Sequence, residues 1–268
     1  MELKIISIGN EEKGKKELPN QFNEKVRPDL IARAVLALQA NKRQAYGASP
    51  EAGMRASADL SKRRRKYRGT YGIGQSRTPR KVMSRRGTRL NYTGAFAPQT
   101  VGGRRAHPPK AEKILEKKVN KKEKRKAIRS AIAATVDPAI VKERGHIVPE
   151  GYPFIIEDSF EKLAKTKEIR NALEAIGFKE ELKRSAKKII RAGKGKSRGR
   201  KYKKKKGPLI VVSKPCALVK ACSNILGIDI TNVQSLNAEY LAPGSAPGRL
   251  TLYTQSAIKE IKEKNLFN

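Results

Sequence analysis

The side chains that could do bond chemistry are few: two histidines, two cysteines and an acid pair, Glu157 and Asp158, that follows a predicted strand. His107 sits in a Pro-rich stretch and His146 beside Gly145, which predicts a surface or locally hydrogen-bonded residue in a loop. Neither lies in a pattern that supplies a nucleophile, a carboxylate partner or a metal set. Cys216 and Cys222 have five residues between them and no nearby histidine, which is neither a zinc spacing nor a disulfide framework and points to a reducing cytosol. Cys222 falls on an apolar stripe and is expected in the core. Glu157 and Asp158 precede Ser159 and read as charge at a helix N-terminus. The run Gly69-Thr-Tyr-Gly-Ile-Gly74 looks at a glance like a dinucleotide loop. It follows a basic run rather than an apolar strand, and no helix opens after it. Gly193-Lys-Gly195 fails in the same way. No catalytic constellation emerges, so the expectation is a protein that is not an enzyme and uses no cofactor and no metal.

The chemistry that the residues do support is electrostatic. The formal charge is +36 over 268 residues. Residues 42–110 hold +16 of it and residues 187–206 hold +12 with no acid, which leaves +8 for all the rest. Self-repulsion at that density burdens a free compact chain. A polyanion relieves it by exchanging condensed counterions for Lys and Arg. No apolar run approaches the length of a membrane span, and residues 1–9 are short and strand-like, unlike a signal peptide. Nucleic acid is the polyanion expected, and a membrane is not.

Within the first basic segment the predicted RNA contacts are Arg63, Arg64, Arg65, Tyr67, Arg68, Tyr71, Arg77, Arg80, Arg85, Arg86, Arg89, Arg104 and Arg105. Guanidinium planes and tyrosine rings stack on bases, and glycine lets backbone approach phosphate. Tyr92 and Phe96 belong to the same mix, with a small satellite core as the competing reading. In the second segment the predicted contacts are Arg191, Lys194, Lys196, Arg198, Arg200 and Lys201, set among glycines just before an apolar strand.

These groups need elements to position them. Leu3, Ile5, Ile6 and Ile8 predict a strand. Pro28 opens a helix carrying Leu30, Ile31, Ala34, Val35 and Leu38. Residues 111–136 predict one long charged helix. Phe154, Ile155 and Ile156 predict a short strand, and Ile169, Ala172, Leu173 and Ile176 a helix ended by Gly177. Leu209–Val212 predicts a parallel strand covered on both faces. Leu218, Val219, Cys222, Ile225 and Leu226 predict a helix, residues 228–233 and 250–253 two more strands, and residues 257–264 a last helix. The alternation implies an α/β fold, a three-layer, mostly parallel sheet flanked by helices with a long irregular basic arm inserted. The globular domain is expected over residues 1–45 and 111–268, the arm over 46–110, and an RNA-anchoring segment over 187–206. The insertion of about seventy residues far exceeds the usual connection of about four to six. Doubled back, it could reach at most about 100 Å.

Several segments together carry a resemblance. Ser130-Ala-Ile-Ala-Ala-Thr135, Arg144-Gly-His146, Arg191-Ala-Gly-Lys-Gly-Lys196, Gly207-Pro-Leu209, Ser235-Leu-Asn237 and Leu241-Ala-Pro-Gly244 occur in that order. In these the chain resembles the L-four family of large-subunit ribosomal proteins, archaeal and eukaryotic type, nearly end to end. The resemblance implies a structural component that binds large-subunit rRNA in the cytoplasm. It also implies contact with neighbouring large-subunit proteins, one of them lining the nascent-peptide exit tunnel. It places the arm in the RNA core, with Gly102, Gly103, Arg104, Arg105, Ala106 and His107 near the tunnel and the nascent polypeptide. The short C-terminal region departs from eukaryotic members and points to an archaeal source. A regulatory RNA-binding protein acting off the ribosome is the alternative, and an RNA-modifying enzyme a weaker one.

Overall fold

Alternation along the strands sets the layers. A computed structural model of the chain describes residues 1–65 and 70–268. Its elements run β1 (Glu2–Ile6), β2 (Glu12–Glu17), α1 (Pro28–Asn41), β3 (Arg80–Arg86), β4 (Arg89–Gly94), α2 (Lys121–Val136), α3 (Pro138–Glu143) and β5 (Phe154–Ile156). Then follow α4 (Thr166–Ala175), α5 (Lys179–Ala186), β6 (Lys188–Ile190), β7 (Tyr202–Lys204), β8 (Leu209–Val212), α6 (Ala217–Cys222), β9 (Asp229–Asn232), α7 (Ala238–Leu241), β10 (Thr251–Thr254) and α8 (Gln255–Glu263). Six strands form one sheet in the order β2-β1-β5-β10-β8-β9, parallel except for the edge strand β2.

The continuous apolar run of β8 has no solvent face. Leu209 and Val211 join one buried cluster, while Ile210 and Val212 join the other. Ile155 and Tyr253 point with the first pair, and Phe154, Ile156 and Leu252 with the second. The first cluster takes Ile31 and Val35 of α1, Ile128 and Ile132 of α2, and Ile258 and Ile261 of α8. The second takes Ile169 and Leu173 of α4, Leu182 of α5, and Leu218 and Cys222 of α6. Each such side chain contributes roughly 1.5–3 kcal/mol through burial. Helices on both faces of a mostly parallel sheet give the three-layer α/β architecture read from the sequence.

Local chemistry sets the ends. Thr254 closes β10, and its hydroxyl accepts from Ala257 N at 3.3 Å to start α8. Gly177 follows α4 with φ +99°, the left-handed conformation that a helix C′ position favours. Small residues, Ala127, Ser130, Ala131 and Ala134, are buried along α2. Its two buried hydroxyls are both satisfied: Ser130 accepts from Arg27 N at 2.6 Å, and Thr135 lies 3.1 Å from the Tyr253 hydroxyl.

The chain divides into two compact units, residues 1–42 with 116–268, and residues 43–115. Neither buried cluster draws on the second unit.

Three expectations need correction. The long helix predicted over 111–136 begins only at Lys121. Ile114 is 85% exposed, and the Asn41 amide takes the backbone groups of Lys117 for itself. Lys117 N donates to Asn41 Oδ1 at 2.9 Å, and Asn41 Nδ2 donates to Lys117 O at 3.4 Å. The helix predicted through Leu226 ends at Cys222. There Ser223 bonds back to Lys220 O at 2.7 Å, and Ile225 N turns to Cys222 O. The arm expected to be irregular contains an antiparallel hairpin, β3–β4, in which Val82 faces Tyr92 across the strands and the register shifts between Val82 and Ser84. Its few apolar side chains, Val82, Met83, Leu90 and Tyr92, do not alternate through both strands and are surrounded by arginines, so no strand pattern shows in the sequence here.

Candidate nucleic-acid interface

Residues 187–206 fold as a ribbon that leaves α5 and returns into β8. β6 and β7 pair antiparallel, with Lys188 opposite Lys204, Ile189 opposite Lys203 and Ile190 opposite Tyr202. A short 3-10 turn at Lys194–Arg198 caps it. Arg191 N donates to Lys201 O at 2.8 Å and Arg200 N to Gly195 O at 3.1 Å, so backbone bonds continue past the strands. A two-stranded ribbon has no core of its own, and both strands are exposed along their length. Arg191, Lys194, Lys196, Arg198, Arg200 and Lys201 all lie on it, and none forms an ion pair among the described residues. Only Lys206, at its base, is paired, with Asp229 at 2.9 Å.

The base of the ribbon is built from buried charge. Arg249 is fully buried and donates from Nε to Gly207 O at 2.9 Å, from Nη1 to Tyr240 O at 3.0 Å and from Nη2 to Asp229 at 2.6 Å. Burial lowers its pKa, and Asp229 pushes back. Arg184 donates to Glu181 at 2.6 Å and to Lys206 O at 2.7 Å. His146 Nδ1 lies 2.7 Å from Glu181 Oε1, while Glu181 Oε2 accepts from Ile147 N at 3.0 Å. Burial lowers the His146 pKa, and Glu181 offsets this in part. Burial also pushes the Glu181 carboxyl up, but hydrogen bonds from Arg184 and His146 hold it below the ordinary range. Arg144 donates to Pro243 O and to Pro247 O, and burial brings its pKa down to about 10. His146 is therefore not a surface residue: it is buried against a carboxylate 35 positions away in the chain. That spacing carries no sequence signal.

The second unit carries the other predicted contacts. Arg63, Arg64 and Arg65 are exposed in a turn. Tyr67 and Arg68, with Gly69 of the glycine run, lie outside the described residues. The Arg77 guanidinium lies 5.4 Å from the centre of the Tyr71 ring. Arg80 is half-buried and tied to Thr78 O and Ser76 Oγ, whereas Arg85, Arg86 and Arg89 are exposed around the tip of β3–β4. None of these arginines, nor Arg104 or Arg105, pairs with an acid among the described residues. Tyr92 is exposed and Phe96 half-buried beside the buried Ala95.

Residues 95–104 close a tight loop, with Gly103 N donating to Thr100 O at 3.2 Å and Arg104 N to Phe96 O at 3.2 Å. A Cβ on Gly103 would meet Ala97 O at 2.1 Å, so only glycine fits there. Gly102, Arg104, Arg105, Ala106 and His107 are exposed.

The sequence reading passed over Lys188, Lys203, Lys204 and Tyr202, all on the same ribbon. It also passed over the exposed lysines at the start of α2. Among the described residues no cluster of three or more His, Cys, Asp or Glu could hold a metal ion, and no helix is long and apolar enough to cross a membrane.

Comparison with known proteins places this architecture. The chain is 49% identical over its whole length to the large ribosomal subunit protein uL4 of Nanoarchaeum equitans, covering all of that protein. It is 47% identical over 96% of both chains to the uL4 of Methanococcoides burtonii. It is 43% identical to that of Methanocaldococcus jannaschii, over 98% of this chain and 99% of the relative. The family model described as the ribosomal protein L4/L1 family matches residues 16–264. With the family match spanning residues 16–264 and the relatives aligned over nearly the whole length, the chain belongs to the ribosomal protein L4/L1 family.

Proposed function

We propose that the protein is a structural constituent of the large ribosomal subunit in the cytoplasm, holding large-subunit rRNA through residues 46–110 and 187–206. The supporting observation is the state of its cations. Among the described residues of both segments only Arg55 and Lys206 pair with an acid; the other arginines and lysines have no acid partner and are mostly exposed, on elements that have little or no core. The relatives bear the name of a large-subunit protein. On this reading the second unit is an arm, and residues 102–107 approach the nascent-peptide tunnel next to a neighbouring subunit protein. Its stiff loop at Gly103 fits a wall rather than a reaction centre.

Sedimentation with the large subunit tests the assignment. After a high-salt wash the protein should remain with the subunit, and release into the supernatant would contradict it. A crosslinking probe at position 107 tests the tunnel placement, since a stalled nascent chain should react with it.

A further inference from the structure

One pair of side chains on the ribbon has no use for a phosphate. Ile190 and Tyr202 are directly opposed across β6–β7, yet they are 60% and 49% exposed. Opposed residues share a face, as do residues two positions away, so the opposed pair Lys188 and Lys204 lies on the same face, next to this pair toward the foot of the ribbon. The ammonium of Lys188 lies 6.0 Å from the centre of the Tyr202 ring, and that of Lys201 lies 5.7 Å from it. Those cation–π contacts still leave about half of each of the two opposed side chains in water. A half-exposed ring with cations this close to it suits a partner that has both an aromatic face and negative charge.

We propose that Ile190 and Tyr202 form a platform for one unpaired RNA base, with Lys188 and Lys204, the next opposed pair on that face, taking the adjoining phosphate backbone. The proposal rests on reading the ribbon as an RNA anchor and says which feature of the RNA it holds. A paired helix offers backbone and shallow-groove edges but no free base face. Stacking on an aromatic side chain needs that face and tolerates any base. The twelve cations and no acids of residues 187–206 favour RNA over a protein surface as the occupant.

The full chain is tested with a single-stranded RNA carrying 5-iodouridine and with a duplex of the same length. Irradiation should join the single strand, but not the duplex, to Tyr202, as read from the modified peptide. Tyr202→Ala should abolish that adduct and weaken single-strand binding by about 5- to 150-fold, with the salt slope unchanged. Tyr202→Phe should keep the affinity. Equal loss against strand and duplex, or an adduct confined to Tyr71 and Tyr92, would overturn the platform. Neutralising the six cations around the 3-10 turn separates the two readings. If that lowers the salt slope while Tyr202 never crosslinks, the ribbon binds RNA by phosphate alone and the apolar face belongs to a protein neighbour. If the slope does not move, the anchor reading falls, and the platform with it.

Discussion

Nη2 of Arg249 lies 2.6 Å from Oδ2 of Asp229, and that same oxygen receives Lys206 Nζ at 2.9 Å. A residue with no exposed surface thus ties the loop before β10 to the strand β9 and to the foot of the ribbon. Removing Arg249 leaves Asp229 partly exposed and still paired with Lys206, but it takes the side-chain donor from Gly207 O and Tyr240 O, at about 1–3 kcal/mol for each buried group left unsatisfied. Arg249→Met should therefore destabilise the protein by at least about 1 kcal/mol in urea unfolding. A loss below about 1 kcal/mol would mean that water reaches Gly207 O and Tyr240 O and replaces the guanidinium.

The His146 imidazole gives stability a pH dependence. Burial holds its folded-state pKa below the ordinary value of 6.5. The unfolded chain therefore binds the proton more readily, and protonation favours unfolding. The His146 contribution is complete above about pH 6.5 and is lost as pH falls through the folded pKa. Glu181, also depressed, loses its contribution only on further acidification below its ordinary 4.5. Melting temperature measured from pH 7 to pH 5 should fall in the wild type and fall less in His146→Asn. Parallel curves would place the titration elsewhere.

The ribbon's charge should show in the salt dependence of RNA binding. Each neutralised phosphate contributes about −0.7 to −0.9 to the slope of log affinity against log salt. Replacing Arg191, Lys194, Lys196, Arg198, Arg200 and Lys201 by glutamine should make the slope for rRNA fragments measurably shallower. An unaltered slope would show that these side chains stay hydrated.

The first unit should fold without the second. Its two buried clusters contain no residue from 43–115, and shortening a loop changes closure entropy only slowly. A chain in which a short Gly/Ser linker replaces residues 46–110 should unfold in a single cooperative transition by calorimetry. A broad, non-cooperative melt would contradict the division.

What could be read from the residues alone was what one segment decides for itself. Leu209–Val212 declares a doubly covered strand because every side chain in it is apolar, and Pro28 with its apolar stripe declares α1. The start of α2 was misplaced because Ile114, Leu115 and Val119 look helical until Asn41, far off in the chain, claims the backbone of Lys117. The residues around His146 predict a surface or locally hydrogen-bonded side chain because nothing near it announces Glu181. Tyr202 disappeared into a lysine run, since its role depends on facing Ile190 across a turn. Charge density located the two basic segments, while pairing decided which of their side chains stand next to one another.

The Asn41 amide also bears on how the insertion can vary. By clasping Lys117 it closes the mouth of the insertion with two hydrogen bonds to main chain. The first unit therefore senses a fixed gap, whatever length of polypeptide hangs from it. Doubling that length would add only about 0.6 kcal/mol of closure entropy. The polypeptide outside the clasp can thus change in length without disturbing the sheet, and Asn41 is the residue that makes the two parts separately adjustable.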